Sequence, residues 1–425
     1  GVATILVVAI AMLGSLTVLP ALLSRLGDKV DRLHVPLVGR LRGDDGEGRF
    51  WGAIVDRVLR RPVVSVVVAG GLLVALALPA MQLRMVSPGP ETFPQELPVI
   101  KTYNRMQEAF PGTGLPASVV VKAQDVNAPA VRNAIAELKQ LALASGRMYE
   151  PITVAVNRDA TVANISVPIA GSAADDEAVA AIATLREQVV PQTVGAIPGA
   201  EAGVTGTPAR WKDGTDRMKS TLPIVVTFVL VFAFGLMLVA FRSIVIAAKA
   251  VLLNLLSVAA AYGVLVIVFQ HGFAQGLLGF GTTDGIDPVV PLLLFVILFG
   301  LSMDYHVLIL GRIREAYDRG ASMDDAISYG IKRTAGVVTS AAIVMVGVFS
   351  IFAVLSLLMF KQFGVGLAVA ILIDATIVRG VLLPASMKLL GDWNWYLPTW
   401  LEWLPRFDHD ETEATPEIAS TPVSA

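Results

Sequence analysis

The chain has 425 residues, of which 55% are hydrophobic and 16% charged. Soluble domains run near about 45–50% and about 25%, so the balance argues against a water-soluble enzyme and for a chain in lipid. Lys and Arg total 33 against 35 Asp and Glu, without the basic excess of a nucleic-acid binder. There is no Cys, which removes disulfides, thiolate catalysis, iron–sulfur clusters and Cys-bound zinc. The four histidines (His34, His271, His306 and His409) are scattered, so no metal site and no cofactor is expected.

A membrane-spanning helix needs about 20 mainly apolar residues. Seven stretches qualify, roughly 2–24, 62–80, 221–241, 244–269, 288–310, 335–357 and 364–388. The first opens at Gly1 without a charged segment before it, unlike a signal peptide, and reads as cut from something longer. Residues 27–61 form a basic linker, whose last part, from Arg49 to Arg61, alternates apolar and basic positions at helical spacing. That pattern predicts a helix lying in the membrane interface. Residues 62–80 cross again, 81–220 form an outer domain, and 221–390 form a five-helix bundle. Its first two helices are separated only by Phe241-Arg242-Ser243. Pro62, Pro223 and Pro288 stand near helix starts, where a missing N–H matters least. Residues 391–425 hold an aromatic anchor (Trp393, Trp395, Tyr396, Trp400 and Trp403) and an acidic tail from Asp408 that reads as disordered.

Orientation follows from the basic residues. Arg25, Lys29, Arg32, Arg40, Arg42, Arg49, Arg57, Arg60 and Arg61 follow the first span, and Arg312, Arg314, Arg319, Lys332 and Arg333 follow the fifth, whereas 270–287 has none. The basic loops are expected in the cytoplasm and the 81–220 domain outside a bacterial cytoplasmic membrane, with the C-terminus inside.

Within the outer domain, 118–123 reads as a strand and 128–144 as an amphipathic helix with Val131, Ile135, Leu138 and Leu141 on one face. Strands at 152–156 and 162–169 flank the turn Asn157-Arg158-Asp159-Ala160. A second helix, 175–190, is entered through Ser172, and 202–205 is a fourth strand. The order β-α-β-β-α-β is the split βαβ, ferredoxin-like arrangement of an α+β domain, and it predicts two helices on one face of a four-stranded sheet. No catalytic constellation stands out in it, so it reads as a binding or conduit domain.

The segment Val18-Leu19-Pro20-Ala21-Leu22-Leu23-Ser24-Arg25-Leu26-Gly27-Asp28 aligns with Leu382-Leu383-Pro384-Ala385-Ser386-Met387-Lys388-Leu389-Leu390-Gly391-Asp392. Pro, Ala, Leu, Gly and Asp fall in register. Parallel repeats are a recurrent transporter plan, so residues 1–26 are expected to be the last helix of a missing first half.

Ionisable residues deep in a span cost about 2.5–3.5 kcal/mol each on insertion scales, which makes them functional candidates. Asp304 and Asp374 stand in such positions. Lys249 and His306 are nearer helix ends and are expected to snorkel. Tyr305 projects about 100° from Asp304 on an ideal helix and is expected to meet a neighbouring helix. Arg379, five residues after Asp374, is not quite on its face; it pairs with Asp374 only with slack, or bridges to Asp304. No G-x-x-x-x-G-K-[ST] phosphate loop is present, so buried carboxylates without an ATPase point to proton coupling.

At these residues the chain resembles the MMPL (mycobacterial membrane protein large) family of the RND superfamily of proton-driven exporters. Gly300-Leu301-Ser302-Met303-Asp304-Tyr305 followed by Arg312 resembles its Asp-Tyr helix, and Asp374-Ala375-Thr376-Ile377-Val378-Arg379 followed by Leu383-Pro384-Ala385 resembles its last helix. Gly203-Val204-Thr205-Gly206-Thr207-Pro208-Ala209 is similar to the exit from its outer porter domain. The resemblance implies a non-enzymatic exporter of lipids or other hydrophobic small molecules, a proton relay of Asp304, Tyr305, Asp374 and Arg379, and a facing Asp-Tyr pair from the first half. Expected partners are that missing N-terminal half, membrane lipids and further copies in an oligomer, with no nucleic acid. Two alternatives stand beside it: a non-transporting sensor or scaffold of the same fold, and an intramembrane aspartyl protease. The protease resemblance is poor, because the order is Asp304-Tyr305 and neither Asp follows Gly-x-Gly.

Overall fold

A computed structural model describes residues 2–27, 49–86, 93, 95–109, 116–169, 176–280 and 285–405. The linker residues 28–48, Ser172 and the tail from Asp408 lie outside the described residues. In chain order the elements are α1 (Val2–Leu26), α2 (Arg49–Arg60), α3 (Pro62–Ala77), α4 (Pro98–Ala109), β1 (Ala117–Lys122), α5 (Pro129–Ala144), β2 (Thr153–Val156), β3 (Val162–Val167) and α6 (Asp176–Thr184). They continue as β4 (Glu201–Gly206), α7 (Thr207–Phe241), α8 (Ile244–Leu265), α9 (Val289–Asp318), α10 (Met323–Ala353) and α11 (Leu358–Ile373). A π-helical segment, Asp374–Leu382, and a further α-helical stretch, Leu383–Leu390, prolong α11. Among the described residues seven helices, α1, α3 and α7 to α11, are long and apolar enough to cross a membrane.

Three of these spans begin elsewhere than hydropathy suggests. α7 starts at Thr207 rather than 221, with Pro208 in its first turn, and Pro223 lies inside the helix instead of opening it. α10 starts at Met323 rather than 335, because Ser322 caps it by accepting from the Asp325 N–H at 3.2 Å. Its first turns carry Asp324, Asp325, Lys332 and Arg333, which an apolar window leaves out although they are helical. α10 ends at Ala353, and α11 begins at Leu358 rather than 364 because Lys361 and Gln362 are helical and buried. Lys361 donates to the Leu278 carbonyl, and Gln362 accepts from the Asp287 N–H at 3.0 Å.

The amphipathic helix α2 also departs from expectation. Its apolar face is not given over to lipid: Val55, Val58 and Leu59 are buried against the bundle, and the Trp51 indole N–H donates to Thr339 Oγ1 of α10 at 2.8 Å. A strong amphipathic pattern specifies one buried face, and here protein supplies the cover. Nor do Lys249 and His306 snorkel, for both are buried. Lys249 Nζ donates to Asn394 Oδ1 at 2.8 Å, and Asn394 itself is fixed by donating to the Met387 and Gly391 carbonyls. The aromatic segment thus folds back over the end of α8. It also seats Arg314 over the Trp395 ring, 4.4 Å from its centroid, while Trp393, Trp400 and Trp403 remain exposed.

The bundle core runs through Met237, Phe241, Leu265, Phe269, Leu294, Phe299, Leu310 and Leu367. With no hydrophobic drive between helices in lipid, close backbone approach matters, and small residues permit it. A Cβ on Gly263 of α8 would overlap the Leu76 carbonyl of α3, and one on Gly364 of α11 would overlap the backbone of α10. α1 stands apart, exposed along its length. Gly27 (φ 48°) and Gly391 (φ 51°) both adopt positive φ.

The domain between α3 and α7 is a four-stranded antiparallel sheet in the order β2-β3-β1-β4, with Val119 opposite Ile165 on one side and Val204 on the other. α5 lies between β1 and β2 in the chain, and α6 between β3 and β4. Val119, Val121, Ile165 and Val167 form the sheet side of a core closed by Leu138, Ile182 and Leu185. Ala209 of α7 joins that core, and Arg186 bonds Asp213 of α7 at 2.8 Å and the Val204 carbonyl at 3.1 Å. The sheet is therefore continuous with a membrane helix through β4 and α7.

Filling the closest helix contact tests this packing. Gly263→Ala is expected to destabilise the bundle by about 1–3 kcal/mol, the usual range for overpacking, read as a lowered unfolding midpoint in detergent.

Candidate functional site

The last span is regular up to Ile373 and then widens into nine residues of π-helix from Asp374 to Leu382. On an α-helix, side chains five apart diverge by about 140°. Bonding from i to i+5 narrows that divergence to about 50° and puts them on one face. Arg379 consequently reaches back to Asp374, and its guanidinium Nη2 donates to Asp374 Oδ2. Both residues are buried, Asp374 to 7% exposure and Arg379 to 4%. The alternative bridge from Arg379 to Asp304 does not form; the direct pair does, and the π-helix supplies the slack it needs.

Arg379 faces α9 with its remaining surface. Its Cζ lies 4.4 Å from the centroid of the Tyr305 ring, a cation–π geometry, and Nη2 also approaches the Ser302 carbonyl and hydroxyl, each at 3.3 Å. The Tyr305 hydroxyl in turn meets Met345 Sδ of α10 at 3.9 Å. His306 shares the Ser302 carbonyl, its Nδ1 donating at 3.0 Å. Asp374 Oδ1, Arg379 Nε, His306 Nε2 and Asn254 Nδ2 are buried without a hydrogen-bond partner. A cavity of ≈ 10 Å³ lined by Asn254, Ser257, Ser302, Tyr305, Asp374 and Arg379 has room for about one water-sized group.

Asp304 is elsewhere. Ser302, Tyr305 and His306 share one arc of α9, and Asp304 projects about 160° from Ser302. Its side chain is exposed, on a stripe with Leu293, Ile297 and Gly300, although it remains within range of the Arg379 charge. Tyr305, Asp374 and Arg379 are thus brought together and Asp304 is not. Ser302, Asn254 and Ser257 escaped sequence reasoning, and His306 was expected to snorkel rather than to join the site. The i, i+4 spacing of Ser302 and His306 was the available signal, because it puts two polar groups on the face opposite Asp304.

A second cavity of ≈ 260 Å³ opens between the segment that follows α3, α7, α8 and the start of α9. Leu83, Leu222, Val226, Tyr262 and Phe295 line it, and Val258 borders both cavities. Beside it, outside the spans, burial pushes the Asp287 carboxyl above its ordinary range, against the pull of the Val289 N–H.

The MMPL family profile matches residues 91–408. The chain is 36% identical over 412 residues to the mycolic acid-containing lipids exporter MmpL11 of Mycolicibacterium smegmatis, covering 96% of this chain and 43% of that protein. It is 36% identical to the heme uptake protein MmpL11 of Mycobacterium tuberculosis, over 96% of this chain and 42% of the relative. Identity to the trehalose monomycolate exporter MmpL3 of Mycobacterium tuberculosis is 30%, over 94% and 45%. The chain therefore spans less than half the length of these curated relatives.

Removing one member of a buried ion pair strands the other. Arg379→Ala is expected to destabilise the protein by about 3–5 kcal/mol, while the double change Asp374→Leu/Arg379→Met loses much less, as thermal unfolding of both variants in detergent will show.

Proposed function

This chain belongs to the MMPL family, and we propose that it acts as the C-terminal half of a proton-motive-force-driven exporter of lipids or other hydrophobic metabolites across the bacterial cytoplasmic membrane. The observation that carries the reading is the buried Asp374–Arg379 pair stacked on Tyr305 within an apolar bundle. A buried pair adds little stability over apolar residues of similar volume, so packing alone is a poor reason for it. As a switch it has a clear chemistry. Protonation of Asp374 removes the charge that holds Arg379, whose guanidinium is then left to Tyr305 and Ser302 on α9. One proton thereby changes the contacts between the last helix and α9, which biases a two-state element. Each charge moved through the potential supplies about 2.3 kcal/mol per 100 mV.

In this reading Asp304, Tyr305, Asp374 and Arg379 form the relay, with Asp304 on the open stripe of α9 facing the Asp-Tyr helix of a first half. The strand order β2-β3-β1-β4, with one helix in each crossover, supports a split βαβ porter domain. The Arg and Lys distribution supports that domain being outside and the C-terminus being cytoplasmic. The names of two relatives support a lipid cargo, and the ≈ 260 Å³ apolar cavity suits a hydrophobic one. A protease would need two carboxylates sharing one water; Asp374 is committed to Arg379, and Asp304 projects from the other face of α9.

The test is Asp304→Asn in cells producing the full-length protein. Export of the cell's lipid cargo is expected to fall by about 10²-fold or more, the scale of lost proton transfer, with membrane insertion and thermal stability unchanged. Normal export in that variant removes the relay assignment, and stable folding with export independent of the proton gradient would favour the sensor or scaffold.

A further inference from the structure

The π-helical segment is touched from α2 at a position that reports its register. The Trp51 ring of α2 lies against Gly380, so closely that a Cβ on Gly380 would overlap it. Gly380 is the single glycine between Asp374 and Leu382, and it directly follows Arg379. The indole is itself fixed, donating to Thr339 Oγ1 at 2.8 Å, and α2 is further tied to α10 by Asp56 and Lys332 at 3.7 Å. If the widened segment relaxed to α-helix, each residue would turn about 18° further, and Gly380, six residues after Asp374, would swing by about 100°. Arg379 or Val381 would then come under the ring, and each carries a Cβ where no room exists.

We propose that Trp51 is a positioning residue: docked on Gly380, it locks the π register that stacks Arg379 on Asp374. Undocking α2 frees the segment to rewind, which carries Arg379 off the Asp374 face. The cytoplasmic helix is thereby linked to the ion pair through one aromatic side chain and one glycine. The role rests on the relay reading given above, but the register itself is measurable whether or not protons move, so the two can fail separately.

The absence of native Cys makes the register accessible to cross-linking. A Cβ on Gly70 of α3 lies 3.9 Å from Leu382 Cδ2, at the end of the π segment. The full chain carrying Gly70→Cys and Leu382→Cys, in lipid nanodiscs, is expected to be joined by a short bifunctional thiol reagent that spans the gap left when the Leu382 side chain is cut back. A control pair, Ser118→Cys with Ser166→Cys, joins two neighbouring strands of the sheet at directly paired positions. Adding Trp51→Ala is expected to remove most of the first cross-link and none of the second, and Trp51→Phe to restore much of it. Gly380→Ala, which forces a Cβ into the ring's place while keeping Trp51, is expected to give the same selective loss even where Trp51→Ala fails to fold. An undiminished first cross-link in Gly380→Ala, or in a folded Trp51→Ala, overturns the proposal.

Discussion

A carboxylate and a guanidinium five residues apart cannot meet on an α-helix, and neither can be left alone inside an apolar bundle. The i to i+5 backbone bonding from Asp374 to Leu382 resolves both demands at once. It brings the two side chains onto one face and turns that face toward α9, where Ser302 and Tyr305 complete the surroundings of Arg379. A π-helical stretch of this length is uncommon, since such turns mostly occur singly and often at functional sites. Here the geometry of a whole buried site depends on it. Where the last helix lies relative to α2 and α3 depends on it as well, because those helices pack on the widened segment.

The remaining buried charges obey a different rule. Lys249 and Lys361 have neutral oxygen acceptors as hydrogen-bond partners: Asn394 for one, the Leu278 and Gly279 carbonyls for the other. Each of those contacts ties a connecting segment down onto an end of the bundle. Polar groups near the two ends therefore fasten the loops, and the Asp374–Arg379 pair stands apart as a pair of opposite charges. Its unpartnered Asp374 Oδ1 and Arg379 Nε mark it further, because buried polar atoms are normally satisfied.

Much of this was legible in one dimension. Seven apolar stretches required seven helices, since only internally bonded backbone crosses lipid. Alternating runs and the Asn157 turn located the four strands to within a residue or two. Helix limits were less legible: hydropathy sees where lipid begins, whereas capping by Ser322 and the start after Gly206 decide where a helix begins. Lys249 was misread because a sequence does not show what lies above a helix end, and His306 because α9 runs on to Asp318 and places it mid-helix. Lys249 is covered by a segment about 145 residues away in the chain.

The sequence by itself determined that this is a polytopic membrane protein of the MMPL family, with Asp304, Tyr305, Asp374 and Arg379 as its unusual residues, because composition, span length and motif are local properties. Only the tertiary structure decided how those four divide: three gather in a buried cluster, while Asp304 lies on an open stripe. The physical reason is backbone register. A single extra residue per turn in the last helix, fitted against Trp51 and Tyr305 from distant parts of the chain, sets which side chains share a face, and no spacing rule written for an α-helix contains it.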